Sequence, residues 1–242
     1  MKRSNAGIGL IELMVAMVLG LVVVLGVTQT FLSAKNTFQS QNSAAIMQED
    51  ARYVLSRMMQ EIRMTGMFGC LATITDSSTG GAFGVAAATP VSYASSGTTG
   101  KVLTLITADI GNNSASPDWT IVTDCATSAT AYTGAYAATT AMMKYPVRRV
   151  TYTFQNGELS TGIGTGRQVL IRNVADFSLV FGVSTGGANV SDTSITSYTA
   201  TPTSAMVIRS IRLSLTLTDS KIPKRVRDQT YNVVATIRNR AS

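Results

Sequence analysis

The feature that most constrains this chain is an apolar run near its amino terminus. From Ile8 to Val27 there are 20 residues, all apolar or glycine except Glu12. A helix of that length matches the hydrocarbon core of a bilayer. A short basic stretch, MKRSNAG, precedes it. By the positive-inside rule Lys2 and Arg3 stay cytoplasmic, and whatever follows Val27 lies across the membrane. A cleaved secretory signal should end in a small-x-small site, and Leu32-Ser33-Ala34 fits that poorly. A plain signal anchor explains the length but not Glu12. An acid inside or at the edge of a membrane segment costs free energy, and so points to function.

The helical pattern continues past the membrane-length run. No proline occurs before Pro90, and no glycine between Gly26 and Gly66. Met47, Ala51, Val54, Leu55, Met58 and Ile62 recur at spacings of three and four, which draws one apolar stripe down a helix. Glu49, Asp50, Arg52, Arg57, Glu61 and Arg63 fall mostly on its other faces. The stripe predicts packing against a domain, with a methionine-rich partner surface as the alternative. Gly66 predicts the stop. The expected helix, 8–65, is about 87 Å long at the usual rise. Gly20 and Gly26 would let a neighbouring helix approach closely.

Beyond Gly66 the apolar period changes to two. Strands are expected at Val102–Ile106, Thr120–Thr123, Val147–Phe154, Gln168–Arg172, Phe177–Phe181, Val207–Leu217 and Tyr231–Ile237. Asn156-Gly157 is a strong hairpin signal. In Val207–Leu217 the residues Val207, Ile211, Leu213, Leu215 and Leu217 alternate with Arg212, Ser214 and Thr216. Stretches rich in Thr, Ser, Ala and Gly (73–100, 126–141 and 184–204) read as long surface loops.

Composition narrows the chemistry. The chain has no histidine, which removes Ser–His, Cys–His and His-metal catalysis. Cys70 and Cys125 are too few for a zinc site and too far apart for a redox pair. Either they form one disulfide in an oxidising compartment, or they are two buried thiols. Asp76, Asp109, Asp118, Asp124 and Asp192 show no calcium-loop spacing. Gly162, Gly164 and Gly166 lack the lysine and helix of a phosphate loop and read as a turn between strands. No metal, cofactor or small-molecule substrate is expected. The net charge is +7, or +5 without Lys2 and Arg3, a mild excess that does not mark nucleic-acid binding. Lys221, Lys224, Arg225 and Arg227, with Tyr231 beyond, could contact DNA or a surface; a solvated basic loop is the plainer reading.

The segment Gly7-Ile8-Gly9-Leu10-Ile11-Glu12-Leu13, after a basic leader and before an apolar run, resembles the class III signal of type IV pilins and pseudopilins. That resemblance implies cleavage after Gly7 by a prepilin peptidase and N-methylation of the new terminus at Ile8. It makes Glu12 the fifth residue of the mature chain. Because an acid in a bilayer is costly, its carboxylate is expected to pair with a neighbour's terminal ammonium, or with its own before assembly. The chain departs from the family in starting Ile8-Gly9 rather than with Phe and Thr or Ser, and in lacking the usual helix proline.

Arg63–Cys70, Val150–Phe154, Asn173–Phe177 and the ending Val233–Arg240 resemble segments of PilW-type minor pilins, some shared with J-type pseudopilins of type II secretion. The implied architecture is an α+β type IV pilin fold, a long helix packed on an antiparallel sheet domain. Its parts would be a leader (1–7), a transmembrane and filament-core half-helix (8–27), an amphipathic half-helix (28–65) and a periplasmic β-rich domain (66–242). The implied role is structural, a minor pilin priming pilus assembly in motility or adhesion, and not an enzyme. The alternatives are a J-type pseudopilin and a DNA- or surface-binding tip pilin. The implied partners are the prepilin peptidase, other minor pilins, the major pilin and the inner-membrane assembly platform. The chain would begin as a single-pass inner-membrane protein and finish at the pilus tip.

Overall fold

One helix, α1, runs from Leu10 to Met64, 55 residues without a break, or about 82 Å. The computed structural model describes residues 9–96, 100–109, 116–137, 142–163, 166–184, 194–203, 206–220 and 226–237. The expected start at Ile8 lies outside them; Gly9 is extended and Thr65 forms the C-cap. The α1 residues buried against the rest of the chain are Met47, Ala51, Val54, Leu55, Met58 and Ile62, the stripe read from the sequence.

The body contains β1 (Thr75–Asp76), a 3-10 turn (Thr79–Gly81), α2 (Ala82–Ala88), β2 (Val91–Ser96), β3 (Gly100–Ala108), β4 (Trp119–Thr123) and β5 (Ala129–Thr133). Next come β6 (Met143–Gln155), β7 (Glu158–Ile163), β8 (Gly166–Ile171), β9 (Val174–Ser184), β10 (Ser197–Thr199), β11 (Val207–Leu217) and β12 (Gln229–Thr236).

Two sheets result. The eight-stranded sheet has the order β1-β5-β4-β6-β3-β2, with β7 also beside β6 and β8 beyond β7. The length of β6 makes this branching possible. Met143 to Val147 pairs with β4, while Val150 to Gln155 pairs with β7 on the same edge. The four-stranded sheet, β10-β9-β11-β12, is antiparallel throughout. Together with α1 they give an α+β, pilin-like fold.

The main core lies where α1 meets both sheets. Leu103, Leu105, Val150 and Tyr152 from the first sheet meet Phe177, Leu179, Phe181, Ile211, Leu213 and Leu215 from the second. Alternation of side chains on each strand puts these on one face. Each fully buried Phe or Leu contributes about 1.5–3 kcal/mol. A smaller cluster gathers Phe83 and Ala86 of α2 against Ile106, Trp119, Ile121 and Ala131. Phe68, Phe83 and Trp119 meet edge to face, with centroids 5.3 and 6.0 Å apart.

The β6–β7 hairpin turns at Asn156 and Gly157, with φ of 53° and 74°. That left-handed pair is the turn an Asn-Gly dipeptide favours. In β11 the expected alternation holds from Ile211 to Leu217, but a register shift between Ile208 and Ser210 interrupts it before that.

Three expected loops are corrected. Residues 73–100 hold β1, α2 and β2; residues 126–141 hold β5; and residues 184–204 hold β10. The seven residues of α2 are too few to show a helical period. Asp76 holds them, its Oδ2 accepting the Gly84 amide at 2.7 Å, while Phe83 anchors them to Trp119.

Candidate functional site

The candidate site is the helix itself, with two differently clothed halves. From Leu10 to Phe38 every residue of α1 is exposed. Leu10 is 78% exposed and Phe38 is 70% exposed. The helix is long and apolar enough to cross a membrane. Its apolar character extends past Val27, because Thr28 and Thr30 donate their hydroxyls back to the carbonyls of Val24 and Gly26 at 2.8 and 3.0 Å. Such back-bonding satisfies the hydroxyl within its own helix.

Glu12 stands in the first turn, its amide donating to the Gly9 carbonyl at 3.0 Å. No side chain caps that end of the helix. An acid there faces the positive end of the helix dipole. Gly7 and Ile8, the predicted cleavage and methylation positions, lie outside the described residues.

The other half is fixed to the body. Tyr152, fully buried on β6, donates its hydroxyl to Glu61 Oε2 at 2.6 Å. Arg57 Nε lies 3.4 Å from the other Glu61 oxygen. Burial, and after it the Glu61 carboxylate, pushes the Tyr152 hydroxyl far above the ordinary phenol range. At the helix end Thr65 pairs with Thr107 of β3, and the Gly66 amide donates to the Ile106 carbonyl at 3.0 Å. The helix is therefore joined to the sheet through side chain and backbone alike.

A disulfide follows. Cys70 and Cys125 are bonded, their Cα atoms 5.4 Å apart. The bond ties the segment after α1 to the turn after β4. In that turn the Asp124 carboxylate accepts the amides of Ala126, Thr127 and Ser128, each at 2.9 Å, and the Thr127 hydroxyl at 2.8 Å. Those bonds, led by the Ser128 amide, hold Asp124 far below the usual carboxylate range. Between the sheets, Lys101 of β3 donates to Asp176 Oδ1 and the Phe177 carbonyl of β9 at 2.8 and 2.6 Å. A buried ion pair, Arg148 Nε to Asp109 Oδ2 at 2.7 Å, closes the end of β3.

Of the residues singled out in the sequence, the structure brings together Cys70 and Cys125. Glu12 stands at the far end of α1 from them. Lys221, Lys224 and Arg225 lie outside the described residues; Arg227 is exposed. Sequence reasoning missed the Glu61–Tyr152 contact. A signal was present: Tyr152 alternates in phase with Val150, and a tyrosine at a core position needs a partner for its hydroxyl. Among the described residues no group of three or more acids or cysteines could hold a metal ion.

Residues 2–28 match the prokaryotic N-terminal methylation motif. This match supports a type IV pilin or pseudopilin. It agrees with the bare apolar helix and the pilin-like fold. A prepilin-type signal implies processing by a prepilin peptidase and membrane-associated assembly, and it points to a structural protein. No curated protein matches the chain.

Proposed function

We propose that the protein is a minor pilin of the PilW type, which primes type IV pilus assembly and ends at the pilus tip. Its parts follow from that role. The peptidase removes residues 1–7 at the inner membrane, Ile8 is methylated, and residues 8–27 hold the subunit in the bilayer. Residues 28–65 carry the helix to the domain at 66–242, which lies in the periplasm until assembly. The subunit then associates laterally with other minor pilins and the major pilin, helix against helix, at the assembly platform. Glu12 pairs with a terminal ammonium, its neighbour's or its own, which offsets the cost of placing the acid in lipid.

The observation that carries this reading is the contrast along α1. An apolar half stands bare from Leu10 to Phe38, while beyond it the stripe of Met47, Ala51, Val54, Leu55, Met58 and Ile62 is buried against the body. A bare half that long has to be covered by lipid first and by other helices afterwards. The test is the pilus count and twitching of a strain lacking this gene, with type II secretion assayed in parallel. Pili lost in the deletion, restored by the wild type and not by Glu12→Ala, are the expected result. Normal pili with failed enzyme secretion would transfer the protein to the J-type pseudopilins.

A further inference from the structure

The outward face of the four-stranded sheet carries a constellation that anchoring and assembly do not use. In register across it stand Val180, Arg212 and Val234 in one row, and Ser178, Ser214 and Asn232 in the next. Beside Arg212 lies Tyr198, whose strand partner is Gly182. A β-carbon at Gly182 would overlap the Ser210 hydroxyl and sit only 3.1 Å from Ile195 and 3.2 Å from the Tyr198 ring. A glycine there lets the tyrosine lie down on the sheet. Tyr198 remains 59% exposed and Val234 remains 52% exposed. The Arg212 guanidinium rests 5.7 Å from the Tyr198 centroid, an arrangement that steadies the cation.

Charge decides what this face suits. Among the described residues Arg212 has no carboxylate partner, in contrast to Arg57, Lys101, Arg148 and Arg172. The acid on the same face, Asp176, is engaged by Lys101. Ser214 donates to Asn232 Oδ1, which leaves the Asn232 amide hydrogens for another acceptor. Ser210, in the row of Gly182, is buried, and its hydroxyl has no partner among the described residues. One unpaired guanidinium, an exposed aromatic ring and a row of amide and hydroxyl groups complement a molecule with spaced carboxylates, many hydroxyls and apolar ring faces.

We propose that this face binds an acidic polysaccharide, a chain of uronic-acid sugars. Arg212 takes the carboxylate with paired N–H donors, Tyr198 and Val234 meet the apolar ring face, and Asn232 and Ser214 meet hydroxyls. A nucleic acid, with closely spaced phosphates, calls for several cations; among the described residues the rows of this face hold one, Arg212.

The test uses the full chain in detergent, passed over immobilised polygalacturonate, with its methyl-esterified form and duplex DNA as comparisons. Retention on the acidic polymer and not on the ester is expected. Arg212→Gln and Tyr198→Ala should each weaken retention at least about tenfold. Unchanged melting temperatures for the exposed Arg212 and Tyr198 variants separate lost binding from lost folding. No retention of the wild type, equal retention by the ester or by DNA, or an unaffected Arg212→Gln would overturn the proposal. A strain carrying Arg212→Gln should assemble normal pili. Loss of pili would make the face a contact between subunits and overturn it as well, independently of whether the wild type primes assembly.

Discussion

The Tyr152 hydroxyl and the Glu61 carboxylate meet at 2.6 Å across the boundary between helix and sheet. Tyr152 is buried, whereas the Glu61 side chain keeps 19% of its exposure and also faces Arg57. The helix is thus joined to the sheet by a charge-assisted bond at the edge of an otherwise apolar seam. Such a bond is stronger than one between neutral groups, and leaving one side unmade costs more than the bond contributes.

Tyr152→Phe should therefore lower domain stability by about 1–3 kcal/mol at neutral pH, or several degrees in melting temperature. It should also change the alkaline limb. Because burial raises the folded Tyr152 above its unfolded value of about 10, its contribution is complete below that pH. As pH rises past the unfolded value, the unfolded chain releases the proton first and stability falls. Thermal melts between neutral pH and strong alkali should show a declining slope in the wild type that is shallower in the variant. Equal stability at pH 7, with parallel alkaline slopes, would remove the contact from this account.

The acid limb belongs to Asp76 and Asp124. The Ser78 hydroxyl, followed by the backbone amides of Ser78 and Gly84, holds Asp76 low; three turn amides hold Asp124 lower. Carboxylates depressed in the folded state contribute stability above their unfolded value, about 4, and lose it as pH falls toward their folded values. Asp124→Ala should melt lower than wild type at pH 7, and the two should converge in strong acid. A constant gap down to the lowest pH reached would mean that the turn is held by something other than this carboxylate.

Removing the disulfide should act locally before it acts globally. Cys70 and Cys125 close a loop of 55 residues, worth roughly 4 kcal/mol in the chain-entropy model. Within it lie α2 and β4, which bring Phe83, Ala86, Trp119 and Ile121 to the smaller core. In the double Cys→Ser variant, amide exchange should rise in α2 and β4 first, while β9 and β11, deep in the main core, stay protected. Uniform loss of protection would show that the two clusters unfold as one.

The sequence by itself determined the membrane-length run with its single acid, the helix that continues it, and the stripe from Met47 to Ile62. It also determined the Asn156-Gly157 turn and the alternation from Ile211 to Leu217. These are local matters: a period of 3.6 or 2, or a dipeptide's backbone preference, is written within a few turns or strand positions. The tertiary structure alone decided that β6 serves both β4 and β7, that the strands divide into two sheets, and that α2 forms within a stretch rich in small residues. It alone placed Tyr152 opposite Glu61, Lys101 between the sheets, and Tyr198 on Gly182. Each of these joins residues far apart in the chain, where pairing is chosen by which buried polar groups find partners and which apolar faces close together. No local pattern records that choice, because its free energy arises only when the distant segments meet.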